Sequence, residues 1–302
     1  GSIGALIDLG GNDRYRVGAR GQGHAAEGGL GLLWDAAGDD EYLAGGEPDF
    51  WQREAGQSFA QGAAVGTRTA AAGGIGILRD ERGDDRYEAQ MFAQGSGYYF
   101  SLGLLWDEGG RDSYRAARYA QGAGVHQALG VLRDESGDDE YRLSAGVGQG
   151  LGHDMAIGLL VDIAGEDRYA ARYAAQGAAL SNGVGLLADL GGGGRWQMGP
   201  SRLAWGEGEA ARGLPSVGVL LHGAAPAAFE RPALPVPAAA PPKPPACPAP
   251  ATEPTAIDLV PALRLLGRDL AVGKAQPAAY AAVLRRLVDD PHGAIAALPP
   301  ED

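Results

Sequence analysis

Residues 103–122 read GLLWDEGGRDSYRAARYAQG, and the positions of five residues in this stretch decide the fold. They are Gly103, Asp107, Asp112, Tyr114 and Gln121, and each has equivalents elsewhere, which we call a column. The first aspartate column is Asp8, Asp35, Asp80, Asp107, Asp134, Asp162 and Asp189, and the second is Asp13, Asp40, Asp85, Asp112, Asp139 and Asp167. The aromatic column is Tyr15, Tyr42, Tyr87, Tyr114, Tyr141, Tyr169 and Trp196, and the glutamine column is Gln22, Gln61, Gln94, Gln121, Gln149 and Gln176.

The repeat has a nearly constant length. Successive first-column aspartates follow one another at a period of about 27 residues, which lies in the range of repeat architectures. The one long interval runs from Asp35 to Asp80, because the second repeat carries a larger insertion within residues 43–60 and a smaller one around residues 67–72. Columns held in register at a fixed period are typical of a solenoid, in which each repeat packs on its neighbours.

The composition of the repeat selects the kind of solenoid. Glycine interrupts each segment too often for a helical repeat, and the period is too short for a propeller blade. The remaining possibility is a repeat of short apolar strands separated by glycine-rich corners. This pattern favours a right-handed parallel β-solenoid of about seven coils. We expect the leucine two residues before each first-column aspartate to point inward, the tyrosine rings to stack inside, and the glutamine amides to pair from coil to coil.

The rest of the chain reads differently. We assign the solenoid to residues 3–223, where Gly218-Val-Leu-Leu-His222 resembles a decayed eighth repeat. Residues 224–254, rich in proline and alanine, predict an extended linker. Residues 255–302 predict a short helical segment with apolar stripes at helical spacing.

Composition and charge limit the function. The chain has 302 residues, 51 of them Gly, and a formal net charge of −13, which argues against a nucleic-acid or anionic-membrane partner. It has no apolar run long enough to span a bilayer. Its single Cys excludes a disulfide framework and a cysteine-based zinc site. No signal peptide is visible, although we expect an extracellular or cell-envelope location.

The stacked aspartates need compensation. Two unit charges about 4.8 Å apart repel by roughly 3.5 kcal/mol at an effective dielectric constant of 20. Calcium ions between coils would relieve this repulsion, because Ca²⁺ prefers oxygen ligands. The alternative for the first column is an Asx-type corner that accepts N–H groups of its own turn. The alternative for the second column is a salt-bridge ladder with nearby arginines, at positions 14, 16, 86, 115, 142, 168 and 172.

The turn motif resembles a known repeat family. Gly11-Asn-Asp-Arg-Tyr15, Gly38-Asp-Asp-Glu-Tyr42 and Gly83-Asp-Asp-Arg-Tyr87 are similar to the second half of the RTX nonapeptide, Gly-Gly-x-Gly-x-Asp-x-U-x. That family implies a calcium-filled parallel β-roll on secreted bacterial proteins. The resemblance gives the metal-ligand role to the second column and the packed role to the tyrosines. We add Asp8, Asp35, Asp80, Asp107, Asp134 and Asp162 as secondary ligands.

The larger insertion breaks the regular pattern, and we predict a ligand-binding loop there from Asp49, Phe50, Trp51 and Arg53. Its aromatic rings suit a carbohydrate or a protein surface. No catalytic residues emerge from the sequence. The favoured function is a non-enzymatic, calcium-stabilised structural or adhesive module of a bacterial secreted or envelope protein. The alternatives are a polysaccharide-active β-helix enzyme and a metal-free protein-interaction scaffold.

Overall fold

The computed structural model describes residues 1–49, 55–200, 203–223 and 228–230. Within these residues there are 24 β-strands and no helix. The first twelve are β1 (Ile3–Ile7), β2 (Arg14–Val17), β3 (Leu30–Asp35), β4 (Glu41–Ala44), β5 (Gln57–Ala60), β6 (Ala64–Val65), β7 (Ile75–Asp80), β8 (Arg86–Glu88), β9 (Met91–Ala93), β10 (Gly97–Tyr98), β11 (Leu102–Asp107) and β12 (Ser113–Ala120). The others are β13 (Gly124–Val125), β14 (Leu129–Asp134), β15 (Glu140–Gly148), β16 (Gly152–His153), β17 (Ile157–Asp162), β18 (Arg168–Ala171), β19 (Ala179–Leu180), β20 (Val184–Asp189), β21 (Arg195–Met198), β22 (Gly208–Glu209), β23 (Val217–His222) and β24 (Ala228–Glu230).

Three parallel sheets form the walls of the coil. Sheet A has the order β1-β3-β7-β11-β14-β17-β20-β23, and sheet B has the order β2-β4-β8-β12-β15-β18-β21-β24, with β5 and β9 attached. Sheet C has the order β22-β19-β16-β13-β10-β6. Each strand pairs with its equivalent in the next coil, so the predicted parallel β-solenoid of about seven 27-residue turns is confirmed.

The register of sheet A places equivalent residues side by side. Asp107 pairs with Asp80 on one side and with Asp134 on the other. The decayed repeat adds β23, where His222 stands opposite Asp189. Three residues of the predicted linker form β24 and pair with β21. The rest of the predicted linker, within 224–254, and the predicted helical segment, 255–302, lie outside the described residues.

The predicted leucine and aromatic columns form the core. From Leu33 to Leu187 the leucines are buried, and from Tyr42 to Trp196 the aromatic side chains are at most 1% exposed. The tyrosine rings stack face to face with centroids 4.8–4.9 Å apart, and Trp196 lies 4.2 Å from Tyr169. The coil spacing of a parallel sheet therefore matches the spacing at which aromatic rings attract each other.

The glutamine side chains at the corner form hydrogen bonds to backbone carbonyls and not, as expected, to one another. The Nε2 of Gln121 donates to the carbonyl of Tyr114 in its own coil, at 2.9 Å, and to that of Arg142 in the next coil, at 3.3 Å. The expectation that amide side chains bond to one another was therefore wrong. A left-handed backbone at Gln121 and Gly122, with φ of 56° and 72°, turns the amide toward these carbonyls.

Glycine in sheet A makes the coil thin. Gly130 points inward, and a Cβ atom there would lie 2.1 Å from the carbonyl oxygen of Ala123, on the opposite wall. Equivalent glycines in the neighbouring coils face the same obstacle. On one side of the coil's cross-section, the backbones of the two walls therefore pack directly against each other. The leucine and tyrosine side chains fill the other side.

We expect Gly130→Ala to lower the free energy of unfolding by about 1–3 kcal/mol, because the added methyl group forces the two walls apart. Gly4→Ala is the matched control. Gly4 holds the same place in the first coil, where a Cβ atom would meet nothing within 4 Å. Urea unfolding followed by circular dichroism measures both variants, and equal stability of the two would contradict this account of the thin section.

Candidate metal centre

The first aspartate column ends the strands of sheet A. From Asp35 to Asp189 these side chains are at most 1% exposed. From Asp8 to Asp134 one carboxylate oxygen accepts the backbone N–H two residues later, as in Arg82 N to Asp80 Oδ1 at 3.1 Å and Ser136 N to Asp134 Oδ1 at 3.1 Å. The predicted Asx-type corner is therefore confirmed.

The other oxygen of these aspartates binds a tyrosine of the preceding coil. Tyr114 donates its hydroxyl hydrogen to Asp134 Oδ2 at 2.6 Å, and Tyr87 donates to Asp107 Oδ2 at 2.7 Å. The same bond recurs from Tyr15 to Tyr141. The sequence indicates that buried hydroxyls need partners but does not identify them. The aspartate and the tyrosine belong to different repeats, so only the stacking of coils shows the pair.

The second aspartate column lies just behind the first. Asp112 Oδ1 accepts the backbone N–H of Asp85 at 2.6 Å, and Asp139 Oδ1 accepts that of Asp112 at 2.6 Å. The same bond joins the whole column from Asp13 to Asp167. Each carboxylate thus binds the backbone of the coil before it, which fixes where its second oxygen points.

That second oxygen has no hydrogen-bond donor among the described residues. In Asp40, Asp85, Asp112, Asp139 and Asp167 the Oδ2 atom is buried and unpartnered. These side chains are only 0–2% exposed. A buried, ionised carboxylate oxygen without a partner is costly, so five in one file require either a proton or a cation.

The two columns converge into clusters. In each cluster three aspartates from two neighbouring coils bring carboxylate oxygens within 4.8 Å of one another. The clusters are Asp8, Asp13 and Asp35; Asp35, Asp40 and Asp80; Asp85, Asp107 and Asp112; Asp112, Asp134 and Asp139; and Asp139, Asp162 and Asp167. All thirteen aspartates of the two columns except Asp189 take part. Asp189 has no second-column partner, because Gly194 stands at that position.

Burial and mutual repulsion act together on these groups. Loss of hydration, followed by the charges of Asp80 and Asp107, raises the pKa of Asp85 to about 9. Loss of hydration and the charges of neighbouring aspartates raise the pKa of Asp112 to about 11 and that of Asp139 to about 8. Loss of hydration is also the main reason why the pKa of Asp80 rises to about 7. The clusters therefore need protons or a cation to balance their charge at neutral pH.

Arginines do not supply this charge. Arg14 pairs with Glu41 at 2.9 Å, Arg115 pairs with Glu140 at 2.8 Å, and Arg86 pairs with Glu88. All of these pairs lie on the outer face of sheet B. Among the described residues no arginine forms an ion pair with the second aspartate column, so the predicted salt-bridge ladder is absent there.

The donor set suits a hard cation. Every cluster offers carboxylate oxygens only, and each inner cluster contains at least one aspartate whose Oδ2 has no hydrogen-bond partner. Calcium binds such oxygens with flexible geometry, whereas zinc prefers nitrogen and sulfur. The residues present therefore fit Ca²⁺, with second-column aspartates supplying the unpartnered oxygen and first-column aspartates lying beside it.

The predicted ligand-binding loop is described only in part. Asp49 Oδ2 accepts a hydrogen bond from Gln57 Nε2 at 2.7 Å, while Phe50, Trp51 and Arg53 lie outside the described residues. Asp49 lines a groove of about 340 Å³ together with Phe59 and Phe92.

A second aromatic stack, which was not predicted from the sequence, lies beside this groove. Phe59, Phe92 and Tyr119 stack with centroids 4.8 Å and 5.0 Å apart. Each of them stands two residues before a glutamine of the corner, and that shared spacing is the signal that would have revealed the stack.

We expect Tyr114→Phe to lower the free energy of unfolding by about 1–3 kcal/mol, because Asp134 Oδ2 then loses its donor inside the core. Tyr173→Phe is the control, since Tyr173 is 46% exposed. Denaturant unfolding measures both, and an unchanged midpoint for Tyr114→Phe would show that the bond between coils contributes nothing.

Stability without metal should fall as the pH rises. The pKa values of Asp85, Asp139 and Asp167 in the folded protein, about 9, 8 and 9, lie above the ordinary value of 3.8. Folding therefore takes up protons between about pH 4 and 9, and the free energy of unfolding decreases by up to about 1.4 kcal/mol per pH unit for each such carboxyl. Urea unfolding in a chelator from pH 5 to 9 tests this. Asp85→Asn should reduce the slope, and a slope of the opposite sign would contradict the account.

No protein-family model, no curated protein and no solved structure matches the chain. The described residues include no helix long and apolar enough to cross a bilayer.

Proposed function

We propose that residues 3–223 form a non-enzymatic structural module whose coils are tied together by Ca²⁺ ions bound between aspartates of successive coils. The observation that carries the proposal is the file of buried, unpartnered Oδ2 atoms from Asp40 to Asp167. Each of these atoms lies in a cluster that offers only carboxylate ligands. The resemblance of the Gly-x-Asp-x-Tyr turn to the RTX motif supports the same ion.

The ion would act on coil stacking. Each cluster draws its aspartates from two neighbouring coils, so a bound cation attracts carboxylates on both sides of the junction. Without it, carboxylates about 4.8 Å apart repel by roughly 3.5 kcal/mol at an effective dielectric constant of 20, unless they are protonated. Binding would displace those protons, which makes the affinity increase with pH.

A structural role suits the environment better than catalysis. The inner clusters are buried, with exposures of 0–2%, so a substrate has no access to them. Their surroundings repeat from coil to coil, with the same Asx corner and the same tyrosine donor. An active site requires a place that differs from the others and opens to solvent.

The location that we propose for the protein follows from the proposed calcium ion. Extracellular calcium modules bind with dissociation constants of about 10⁻⁴–10⁻³ M, which suits a site that gains its ion after export. We therefore propose a secreted or envelope protein of bacterial origin. Adhesion would use the groove beside Asp49, where Phe59 and Phe92 lie near acidic side chains and could contact a carbohydrate or a protein. A polysaccharide-active enzyme would use the same groove, and a metal-free scaffold would leave the clusters protonated.

Calcium should stabilise the protein strongly. At a free concentration 100 times the dissociation constant, one site adds about 2.7 kcal/mol, or about 5–10 °C in Tm for a domain of this size. The variant Asp112→Asn distinguishes stabilisation by a bound metal ion from stabilisation by protonation of the carboxylates. Asn keeps the Oδ1 acceptor for Asp85 N–H but puts an amide where the unpartnered oxygen stands. With calcium the variant should melt below the wild type, and in chelator it should melt at the same temperature or above.

Asp138→Asn is the matched control for this experiment. Asp138 lies next to the cluster, is exposed, and accepts only the backbone N–H of Glu166, at 3.0 Å. Its Tm should follow the wild type with and without calcium. Metal analysis should give about one ion per cluster, and a wild-type Tm that calcium and chelator leave unchanged would refute the calcium proposal.

A further inference from the structure

The outer face of sheet A is apolar over its whole length. From β3 to β23 each strand directs its first, third and fifth side chains outward, and 19 of these 21 are apolar. We call this surface the apolar face. Its central row is Leu32, Ile77, Leu104, Val131, Leu159 and Leu186. Its first row includes Ile75 and Ile157, whose exposed fractions are 45% and 44%.

Sheet B of the same solenoid shows that this is not a general property of the repeat. Its outward positions carry charges, as at Arg86, Arg115, Glu140 and Arg142. Several of these residues form ion pairs across the coils, which is what a wall facing water requires. The repeat therefore carries a polar wall on sheet B and a largely apolar wall on sheet A.

Strands with apolar residues on both sides are typical of parallel sheets that are covered on both faces. On the inner side of sheet A lies the leucine core. On the outer side no described element packs against the apolar face. A contiguous apolar surface of this kind on a monomer marks an interaction site.

The only charges on the apolar face are already neutralised. The guanidinium of Arg79 lies between the rings of Trp34 and Trp106, 5.4 Å and 4.9 Å from their centroids, and pairs with Glu108. Arg133 pairs with Glu135 at 2.6 Å. Trp and Arg are residues enriched at the energetic centres of interfaces.

The area fits a dimer. Seven strands about 4.8 Å apart and five residues long make a flat surface of about 34 Å by 17 Å, or roughly 600 Å² in projection. Stable interfaces bury about 800 Å² of accessible surface on each partner, and the ridges of side chains make accessible area larger than projection. Two flat sheets pack face to face at about 10 Å. A largely apolar surface of this shape, whose two arginines are each paired with a glutamate, can pack against a second copy of itself.

We propose that the apolar face is the interface of a homodimer, in which sheet A of one copy packs on sheet A of a second copy. An anionic membrane is a poor partner, because the chain carries a net charge of −13. The proposal is independent of calcium, since the aspartate clusters lie inside the coil.

The test is the mass of the full chain in solution as a function of concentration, by analytical ultracentrifugation. The wild type should dimerise, and Leu104→Asp should raise the dissociation constant at least 100-fold, because it places two carboxylates in the apolar interface. Ala170→Asp is the control. Ala170 holds an outward position on sheet B, between Arg142 and Gln197, and the variant should dimerise like the wild type.

A labelling experiment keeps the proposal falsifiable if Leu104→Asp fails to fold. In a Cys247→Ser background, Leu104→Cys should react slowly with a maleimide at concentrations where the protein is a dimer, and quickly after dilution. A monomer overturns the proposal. If the cysteine of that monomer is protected, residues of the same chain cover the face, and if the monomer sediments with phosphatidylcholine vesicles, lipid does. A dimer that Leu104→Asp leaves intact also overturns it.

Discussion

The structure depends on one constraint, which is that each residue lies about 4.8 Å from the equivalent residue of the next coil. This spacing favours some side chains and penalises others. Tyrosine rings attract one another at that distance, and leucines fill the space between them. Aspartates repel at the same distance, so a solenoid that stacks thirteen of them must supply compensation. The conflict between these two columns produces the candidate metal centre.

The compensation is built in layers. The backbone supplies the first layer, because the turn donates an N–H group to Asp134 and the preceding coil donates one to Asp139. The tyrosine hydroxyl supplies the second layer and links the hydrophobic core to the charged corner. In each coil from Asp40 to Asp167, the Oδ2 atom of the second-column aspartate remains without a partner after both layers are in place. That remaining oxygen needs a proton or a cation, so the stability of the coil stack should depend on pH and, under the proposed function, on calcium.

The thin section decides where such a site can lie. Glycines such as Gly130 bring the backbone of sheet A close to the corner that follows the glutamine, so no side chain fits at these glycine positions. The leucines, tyrosines and aspartates are confined to the other side. The same narrowness leaves few side chains inside to stabilise the fold, and the apolar outer face of sheet A offers a second place to bury apolar surface.

The repeat period, the parallel stacking and the inward leucine and tyrosine columns can be predicted from the sequence, because a repeat of fixed length allows only like residues to meet. The Asx corner can be predicted as well, since it involves residues two apart. Which columns meet each other depends on the folded coil. Tyr114 binds Asp134, and the two aspartate columns converge across a coil junction, because the chain folds back between them. The spacing of residues along the chain does not show how sharply the chain turns between the two columns. It also does not show that the glutamine amide binds backbone carbonyls instead of the amide of the next coil.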